Sequence, residues 1–539
     1  MTGTNHDIGW QATSNLGAVA AGGTRSVMAG IDMLERGGNA ADAATATILA
    51  LQVTDHGACC IGGEVPVLIF DAQAGQVQSL SGMGRAPRSQ QAIDWYMKNG
   101  IPGDGDIKMA PVPSVVDLCT TLLQRYGTAT FETVAAATLV LLDEGDEEWH
   151  PKLAKTLRRM VESEQRATGS REEKVQAASD RFYGREGVPG DVADEIEGFW
   201  IERGGFLRRG DLAAHETLIE APVSVDYRGY RVYKCGPWTQ GPYLCQALRL
   251  IEGFDVKAMG AFSSDHFHVM AEAIKLAMAD RDTYYGDPDF VDVPMEALLS
   301  DAYTEVRRPL IDMAAASLEA RPGDPYAMAA RSKGEAVFRP GIGGTTTCTV
   351  ADRWGNVVSA TPSANVNLGR GGGEAGVTYG NRLRSLNTTP GHPNCIAAGK
   401  RPRITLTPTL VLADDRPVLA ISIAGGDRQD QTALNLLLDH IDFGMSPAAA
   451  VTAARFATTH HEDSFDPNPN RAETFGEPGS MTISGSVDAG VREELARRGH
   501  RVVADDKPIG IPVMLHVDQG SGLISAAGDP AAGRHAAGL

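Results

Sequence analysis

Gly344-Thr345 stand where a polar segment meets a predicted strand. Residues 320–336 are polar, contain Pro and Gly and show no periodicity, which predicts a mobile linker. If the bond before Thr345 were cut, that residue would carry a hydroxyl nucleophile and a free α-amine. The ordinary pKa of such an amine is roughly 7.7–8.0, which suits a base at neutral pH. One residue would then supply nucleophile and base, although a threonine here is also simply a good strand former.

Gly425-Gly426 follow a predicted strand and offer a second feature that this chemistry needs. When a hydroxyl attacks a carbonyl, a negative oxygen forms, and backbone N–H groups of glycine can bind it without obstruction by a side chain. Two glycines after a strand are also typical of an ordinary turn. The two features gain meaning only if the fold brings them together.

The elements that must position these residues are predicted from periodicity and turn residues. Apolar spacing and the cap Asn39 predict two helices between Thr24 and Val53, interrupted at Gly37-Gly38. Further predicted elements are strands within 65–81, helices near 112–142, 150–166 and 263–281, a hairpin over 343–361, strands at 409–413 and 417–423, and a helix at 431–438. Helices before and after antiparallel hairpins predict a sheet sandwich covered by helices on both sides.

Length, charge and cysteine content limit the classes of protein. The chain has 539 residues, enough for three to four ordinary domains or one large α/β body. Its 49 Lys+Arg against 68 Asp+Glu give a net charge of −19, which disfavours nucleic acid or a membrane surface as principal partner. Because we find neither a signal-like start nor a long apolar run, we expect a cytoplasmic enzyme. Seven cysteines without a CxxC pair argue against disulfides or structural zinc.

Three other motifs suggest alternative chemistry. The segment Gly369–Gly376 resembles a phosphate loop but lacks the GK[ST] ending, and a flexible loop accounts for it. His460-His461 could bind a metal, yet adjacent residues on a strand face opposite sides and the HExxH spacing is missing. Cys348 could act as a thiol nucleophile, but no paired histidine lies in its hairpin, so a core position is favoured. We therefore predict no cofactor and no metal.

Short blocks in a fixed order carry a family resemblance. They are Gly30–Ala43, Ile61–Gly63, Asp226–Tyr230, Met270–Arg281, Gly286–Phe290, Thr345-Thr346, Gly355-Asn356, Lys400–Pro402, Thr407–Thr409 and Gly425-Gly426. In these blocks the chain resembles the γ-glutamyltranspeptidase family of N-terminal nucleophile hydrolases. The resemblance implies an α/β (α+β) fold, the four-layer αββα sandwich. It also implies a precursor that cuts itself into residues 1–344 and 345–539, which together form one domain.

The same resemblance implies roles for individual residues. Counting back from Asp352-x-x-Gly-Asn356 places the nucleophile at Thr345. Thr361 and Ser363 fall where the family has threonines beside the nucleophile, and Asn365 falls where it has a substrate-contacting asparagine. Gly425 and Gly426 match the oxyanion-hole pair.

The chain departs from the family where the glutamyl group is recognised. Met83 replaces an arginine, Arg382 a glutamine, Ser385 an aspartate, and Ile404-Thr405 two serines. A glutamyl ammonium would lose its anionic partner and meet a cation. Instead Arg85 and Arg382, with Arg384 as a further candidate and a hydroxyl from Ser385 or Thr405, suit a carboxylate. These arginines could equally bind structural acids. The pattern, with Gly426–Gln431 and Pro390–Asn394, is more similar to the oxamate amidohydrolase branch.

The sequence therefore predicts a cofactor-free amidohydrolase for a small, carboxylate-bearing amide, working through an acyl-enzyme on Thr345. Its partners would be this amide, water, its own two cleaved chains and further αβ units of a homo-oligomer. The alternatives are a γ-glutamyl hydrolase or transpeptidase, or a side-chain acylase. From another class, an uncleaved, inactive scaffold that binds a small anion also fits.

Overall fold

The computed structural model describes residues 7–103, 105–332, 344–366 and 371–539. Its helices are α1 Thr24–Glu35, α2 Ala40–Thr54, α3 Gln90–Asn99, α4 Val115–Tyr126, α5 Phe131–Glu144, α6 Trp149–Arg166, α7 Arg171–Tyr183, α8 Asp191–Glu202, α9 Arg209–Ala213, α10 Pro242–Ile251, α11 Val256–Met259, α12 Ser264–Tyr284, α13 Met295–Leu298, α14 Asp301–Arg307, α15 Gln429–Ile441, α16 Pro447–Thr452 and α17 Ala489–Arg497. Within the described ranges, no helix is both long and apolar enough to cross a membrane.

The strands form two seven-stranded sheets and one small sheet. They are β1 Gln11–Ser14, β2 Gly17–Gly22, β3 Val65–Asp71, β4 Gln76–Gly82, β5 Leu218–Glu220, β6 Val223–Tyr227, β7 Tyr230–Lys234, β8 Cys348–Asp352, β9 Val357–Ala360, β10 Thr409–Ala413, β11 Arg416–Ala424, β12 Phe456–Ala457, β13 Ser480–Ser484, β14 Arg501–Asp505, β15 Ile511–Val517, β16 Ile524–Gly528 and β17 Arg534–Gly538. The first sheet has the order β17-β2-β8-β9-β3-β4-β5 and the second β1-β16-β15-β11-β10-β7-β6, while β12-β13-β14 form the small one.

Three apolar cores show that the layers are stacked as helix, sheet, sheet, helix. One core contains residues of the first sheet, such as Val67, and residues of the helices within 24–212, such as Leu49. A second joins the other sheet to α10, α12 and α15. The third lies between the sheets, where Leu68 of β3 and Leu410 of β10 are fully buried. Antiparallel pairing joins the strands within both large sheets. The predicted αββα sandwich is confirmed.

The helix boundaries follow from caps that the sequence displays. Asn39 accepts hydrogen bonds from the backbone N–H groups of Ala41 and Asp42, and the Asp42 carboxylate returns a bond to the Asn39 N–H. This reciprocal capping box starts α2 as predicted. Ser263 likewise caps α12 by accepting from the N–H of His266. The predicted break at Gly37-Gly38 separates α1 from α2.

The predicted hairpins are also present. Strands β3 and β4 turn around residues 72–75, β8 and β9 around 353–356, and β10 and β11 around 414–415. Residues 320–332 of the predicted linker contain neither helix nor strand, and residues 333–336 lie outside the described part. Within the loop 369–376, residues 369 and 370 also lie outside the described part of the chain.

Cys348, which the sequence placed in the core, belongs to the core between the first sheet and its helices. Burial raises the pKa of its thiol to about 12.

Candidate active site

Thr345 lies three residues before β8, at the centre of the first sheet. Its side chain is buried, and its Oγ1 donates a hydrogen bond to the carbonyl oxygen of Gly344 at 2.7 Å. The next residue is anchored twice, because the Thr346 N–H donates to the carbonyl of Pro362 and its hydroxyl donates to Asp55 at 2.5 Å. The approach to β8 is thus fixed before the strand begins.

Ser363 lies beside Thr345 on the segment that leaves β9. Its hydroxyl is 3.2 Å from Thr345 Oγ1 and donates to the Gly344 carbonyl oxygen at 2.8 Å. The backbone of Ser363 exchanges two hydrogen bonds with Glu64, of 2.9 and 3.0 Å. The β8–β9 hairpin therefore returns the chain so that two hydroxyls converge on one peptide carbonyl.

Thr361 contacts the second large sheet. Its Oγ1 is 3.1 Å from the hydroxyl of Ser422 in β11, and Ser422 in turn donates to the carbonyl of Ala360. Ser359 adds a third link by donating to Ile421. Thr361 thus joins the sheet that contains β8 and β9 to the sheet whose strand β11 leads into Gly425-Gly426.

Gly425 and Gly426 follow β11 with φ angles of 148° and 60°. Gly426 begins a short 3-10 helix, Gly426–Arg428, so its N–H is one of the donors that a helix start leaves unpaired. A Cβ on Gly426 would lie 2.8 Å from the ring of Phe465. The positive φ and the close ring explain why glycine is required here.

Arg382 is bound directly to Ser363. Its Nη2 donates to Ser363 Oγ at 2.8 Å, and its Nε donates to Glu64 Oε1 at 2.5 Å. Both charged side chains are buried, and the guanidinium also packs 5.4 Å from the centre of the Phe465 ring. Burial raises the pKa of Glu64, while Arg382 opposes this shift. The third nitrogen, Nη1, is buried without a hydrogen-bond partner among the described residues.

Ser385, Arg403 and Thr405 share this property with Arg382, and we call these four residues the recognition wall. Ser385 Oγ, Thr405 Oγ1 and both Nε and Nη1 of Arg403 are buried, and the described residues offer them no hydrogen-bond partner. Burial and the nearby Arg281 lower the pKa of Arg403 to about 10. Donors buried in this way favour an anion or a carbonyl oxygen as ligand.

Gln240 links the segment that carries Arg403 and Thr405 to Gly426. Gln240 donates its backbone N–H to Ile404 and its side-chain amide to the carbonyl of Gly426, at 2.8 and 3.4 Å. Asp427 accepts from Ser464 and Arg281, and despite its burial Arg281 and Arg403 help to hold its pKa well below the usual range.

Asn365 and Arg85 occupy different surroundings. Asn365 has a φ of 53° and lies beside Gly344, since a Cβ on that glycine would be 3.5 Å from the Asn365 side-chain oxygen. Arg85 instead donates to Asp289 at 3.3 Å and to the carbonyl of Gly399 at 3.1 Å. The structure thus pairs Arg85 with a structural acid, the alternative that the sequence left open.

Two histidine groups bear on metal binding. His268, Glu272 and His500 present ligand atoms within 4.8 Å of one another. However, Glu272 already pairs with Lys275 and Arg321, and these cations disfavour a metal ion there. His460 bonds to the carbonyl of Glu319 and the N–H of Gly479.

Comparisons with known proteins bear on the whole chain. The family model described as Gamma-glutamyltranspeptidase matches residues 26–147 and 138–539. The chain belongs to the γ-glutamyltranspeptidase family. It is 30% identical over 541 residues to the glutathione hydrolase proenzyme of Escherichia coli, covering 89% of this chain and 87% of that protein.

Two further relatives of this family member are acylases. This chain is 28% identical over 542 residues to the Acylase ACY 1 proenzyme of a Pseudomonas species, and the match covers 93% of this chain and 89% of the relative. The crystal structure of cephalosporin acylase from Bacillus halodurans superposes with a TM-score of 0.80 at 26% identity, covering 100% of this chain and 98% of that one. The family thus provides relatives named for two kinds of amide substrate.

Three residues of the candidate site were not predicted from the sequence. Glu64 directly follows the block Ile61–Gly63, and an acidic residue placed between this block and the apolar strand that begins at Val65 was a signal that it needs a cationic partner. Arg403 follows Lys400–Pro402 and directly precedes Ile404-Thr405, where the family has two serines. A charged residue beside these replaced positions was a signal that it could contact the substrate. We find no signal in the sequence for Phe465, because its role depends on where a distant loop packs.

Proposed function

We propose that this protein is a self-processing amidohydrolase whose nucleophile is Thr345. The observation that carries this proposal is the contact between Thr345 Oγ1 and the carbonyl oxygen of Gly344 at 2.7 Å, with Ser363 Oγ 2.8 Å from the same oxygen. A hydroxyl held against the preceding peptide carbonyl favours intramolecular attack, because no reactant has to be brought in.

Self-cleavage would proceed by transfer of the acyl group from nitrogen to oxygen. The Thr345 oxygen bonds to the carbonyl carbon of Gly344, the hydroxyl proton moves to the Thr345 nitrogen, and the C–N bond breaks to leave an ester. Water then hydrolyses this ester, which gives a carboxylate on Gly344 and a free α-amine on Thr345. The products are chains of 344 and 539 − 344 = 195 residues.

Substrate turnover would use the new α-amine as the base. The amine accepts the Thr345 hydroxyl proton as the oxygen attacks the substrate carbonyl, and then gives it to the departing ammonia or amine. The N–H groups of Gly425 and Gly426 would bind the oxyanion, a contribution of about 2.7–4 kcal/mol per donor in comparable sites. Water finally hydrolyses the acyl ester on Thr345.

A small amide with an adjacent carboxylate, such as oxamate, is the substrate class that we propose. The recognition wall supports this class because Arg382 and Arg403 both hold buried guanidinium N–H groups without partners among the described residues. Charge-assisted bonds to a carboxylate are strong, whereas an ammonium group would be repelled there. The hydroxyls of Ser385 and Thr405 would bind remaining oxygens of the same group.

A second candidate function rests on the relatives. A γ-glutamyl hydrolase or transpeptidase is favoured by the name glutathione hydrolase, and a side-chain acylase by the two acylases. All three functions need the same cleaved Thr345. They differ in the group that the recognition wall must bind.

A panel of amides distinguishes these functions. Oxamate, its neutral counterpart oxamide, a γ-glutamyl anilide and an acylated side-chain amide are assayed for kcat/KM with the processed enzyme. We expect oxamate to exceed oxamide and the anilide by about tenfold or more, the effect of roughly 1.4 kcal/mol. If the anilide is best, our assignment of the recognition wall is wrong. A single uncleaved band without turnover on any amide would favour the anion-binding scaffold.

The assembly and location of the enzyme follow the same proposal. We expect the 344- and 195-residue chains to remain together as one αβ unit, and such units to form a homo-oligomer in the cytoplasm. Light scattering on the purified protein and fractionation of cells measure these two properties directly.

A further inference from the structure

Glu64 contacts Ser363 in two independent ways. Its backbone pairs with the backbone of Ser363, and its carboxylate binds Arg382, whose Nη2 donates to the Ser363 hydroxyl. These contacts form a closed ring of three residues around one hydroxyl. Glu64 and Arg382 are 318 positions apart in the chain, and both are buried.

The ring fixes the direction of the hydrogen bonds at Ser363. A guanidinium nitrogen can only donate, so the Ser363 oxygen must accept from Arg382. The single hydroxyl proton is then free for the Gly344 carbonyl oxygen, 2.8 Å away. That oxygen becomes negative when Thr345 attacks the carbonyl carbon. A donor whose own oxygen accepts from a cation is a stronger donor to this charge.

We propose that Glu64 and Arg382 are a positioning pair for self-cleavage. Glu64 holds Arg382, and Arg382 keeps the Ser363 hydroxyl directed at the Gly344 carbonyl while the bond before Thr345 breaks. Ser363 keeps its proton throughout, and the Thr345 hydroxyl proton goes to the leaving nitrogen. This role rests on the self-cleavage proposed above, and it is additional to any contact of Arg382 Nη1 with substrate.

A double-mutant cycle tests the positioning role. The variants are Arg382→Gln, Ser363→Ala and both together, and the rate of appearance of the 195-residue chain is followed by denaturing electrophoresis. We expect each single change to slow cleavage by about ten- to a hundredfold, as for loss of a charge-assisted hydrogen bond. The double variant should be no slower than Ser363→Ala within about twofold, because both changes remove the same interaction.

Two further variants separate positioning from stability. Glu64→Gln keeps an oxygen for Arg382 but removes the charge, so we expect a smaller slowing of about three- to tenfold. Arg455→Gln is the matched control, since Arg455 is also buried and paired at 2.7 Å, with Asp529. It should lower the melting temperature without slowing cleavage. If Arg382→Gln does not fold, Arg382→Lys takes its place in the cycle.

The outcomes separate this inference from the proposed function. Cleavage of Arg382→Gln at the wild-type rate, or effects of Arg382 and Ser363 that multiply in the double variant, would overturn the positioning role while self-cleavage stands. Wild-type protein that never cleaves would instead overturn the proposed function itself.

Discussion

Two regions of the candidate site differ in how many of their buried hydroxyl and guanidinium groups have hydrogen-bond partners. Around Thr345, the hydroxyls of Ser363, Thr361 and Thr346 all have partners within hydrogen-bond distance. In the recognition wall, Ser385, Thr405, Arg403 and one nitrogen of Arg382 are buried without partners among the described residues. Unpaired buried donors are costly unless a ligand satisfies them. We infer from this comparison that the recognition wall is the part of the site that a bound substrate would complete.

The largest effect should follow from changing the reaction centre itself. Thr345→Ala removes the attacking oxygen, so we expect a single 539-residue band and no amidase activity. Thr345→Ser keeps a hydroxyl and should still cleave, only more slowly. Electrophoresis over time measures both. Cleaved product from Thr345→Ala would mean that another residue attacks.

We expect Gly426→Ala to lower kcat without abolishing activity, which is a smaller effect than that of Thr345→Ala. At φ 60° an alanine is strained by about 1 kcal/mol, and its Cβ would lie 2.8 Å from Phe465, so the backbone N–H groups that we propose as oxyanion donors must shift. We expect kcat to fall by about a hundred- to a thousandfold.

Gly444→Ala is the matched control for this prediction. Its φ is 69°, and a Cβ there meets no atom within 4 Å. It should cost a similar strain but leave kcat near wild type. Equal losses of kcat in both variants would show that backbone strain, rather than the oxyanion donors, accounts for the effect.

Arg403→Gln examines the recognition wall. We expect KM for a carboxylated amide to rise by about ten- to a hundredfold, because a charge-assisted bond is lost. Self-cleavage should proceed as in the wild type, since the Gly344 bond carries no carboxylate to recognise. In the wild type, KM should stay constant as the pH rises towards 10. It should then increase, because the pKa of Arg403 is about 10 and its guanidinium loses its charge there. An unchanged KM for Arg403→Gln would remove Arg403 from the pocket.

The smallest effect should come from Arg85→Gln. Because Arg85 binds Asp289 and the carbonyl of Gly399, we expect kcat/KM to change by less than about threefold, as for a partly exposed ion pair. Kinetics on oxamate measure this change. A tenfold loss specific to carboxylated amides would return Arg85 to the substrate site that the sequence predicted for it.

The parts of this molecule that sequence could predict are the local ones. Caps such as Asn39 and Ser263 act within three residues of their own position, and the β8–β9 hairpin is encoded by its own strands. The family resemblance added Thr345 and Ser363, whose proximity follows from that hairpin.

The other contacts of the candidate site could not be predicted, because they join segments that are far apart in the chain. Glu64 and Arg382 meet across 318 residues, and Arg85 meets Asp289 across 204. The hydroxyl of Thr361 contacts Ser422 because the second sheet packs against the end of β9. No local pattern encodes such contacts, since the packing of whole layers sets them.

Intact mass and N-terminal sequencing of the purified wild-type protein test the central claim most directly. If Thr345 completes its reaction with the Gly344 carbonyl, the sample contains a 195-residue chain that begins Thr-Thr-Thr-Cys and ends at Leu539. A sample that consists only of the intact 539-residue chain would contradict the account.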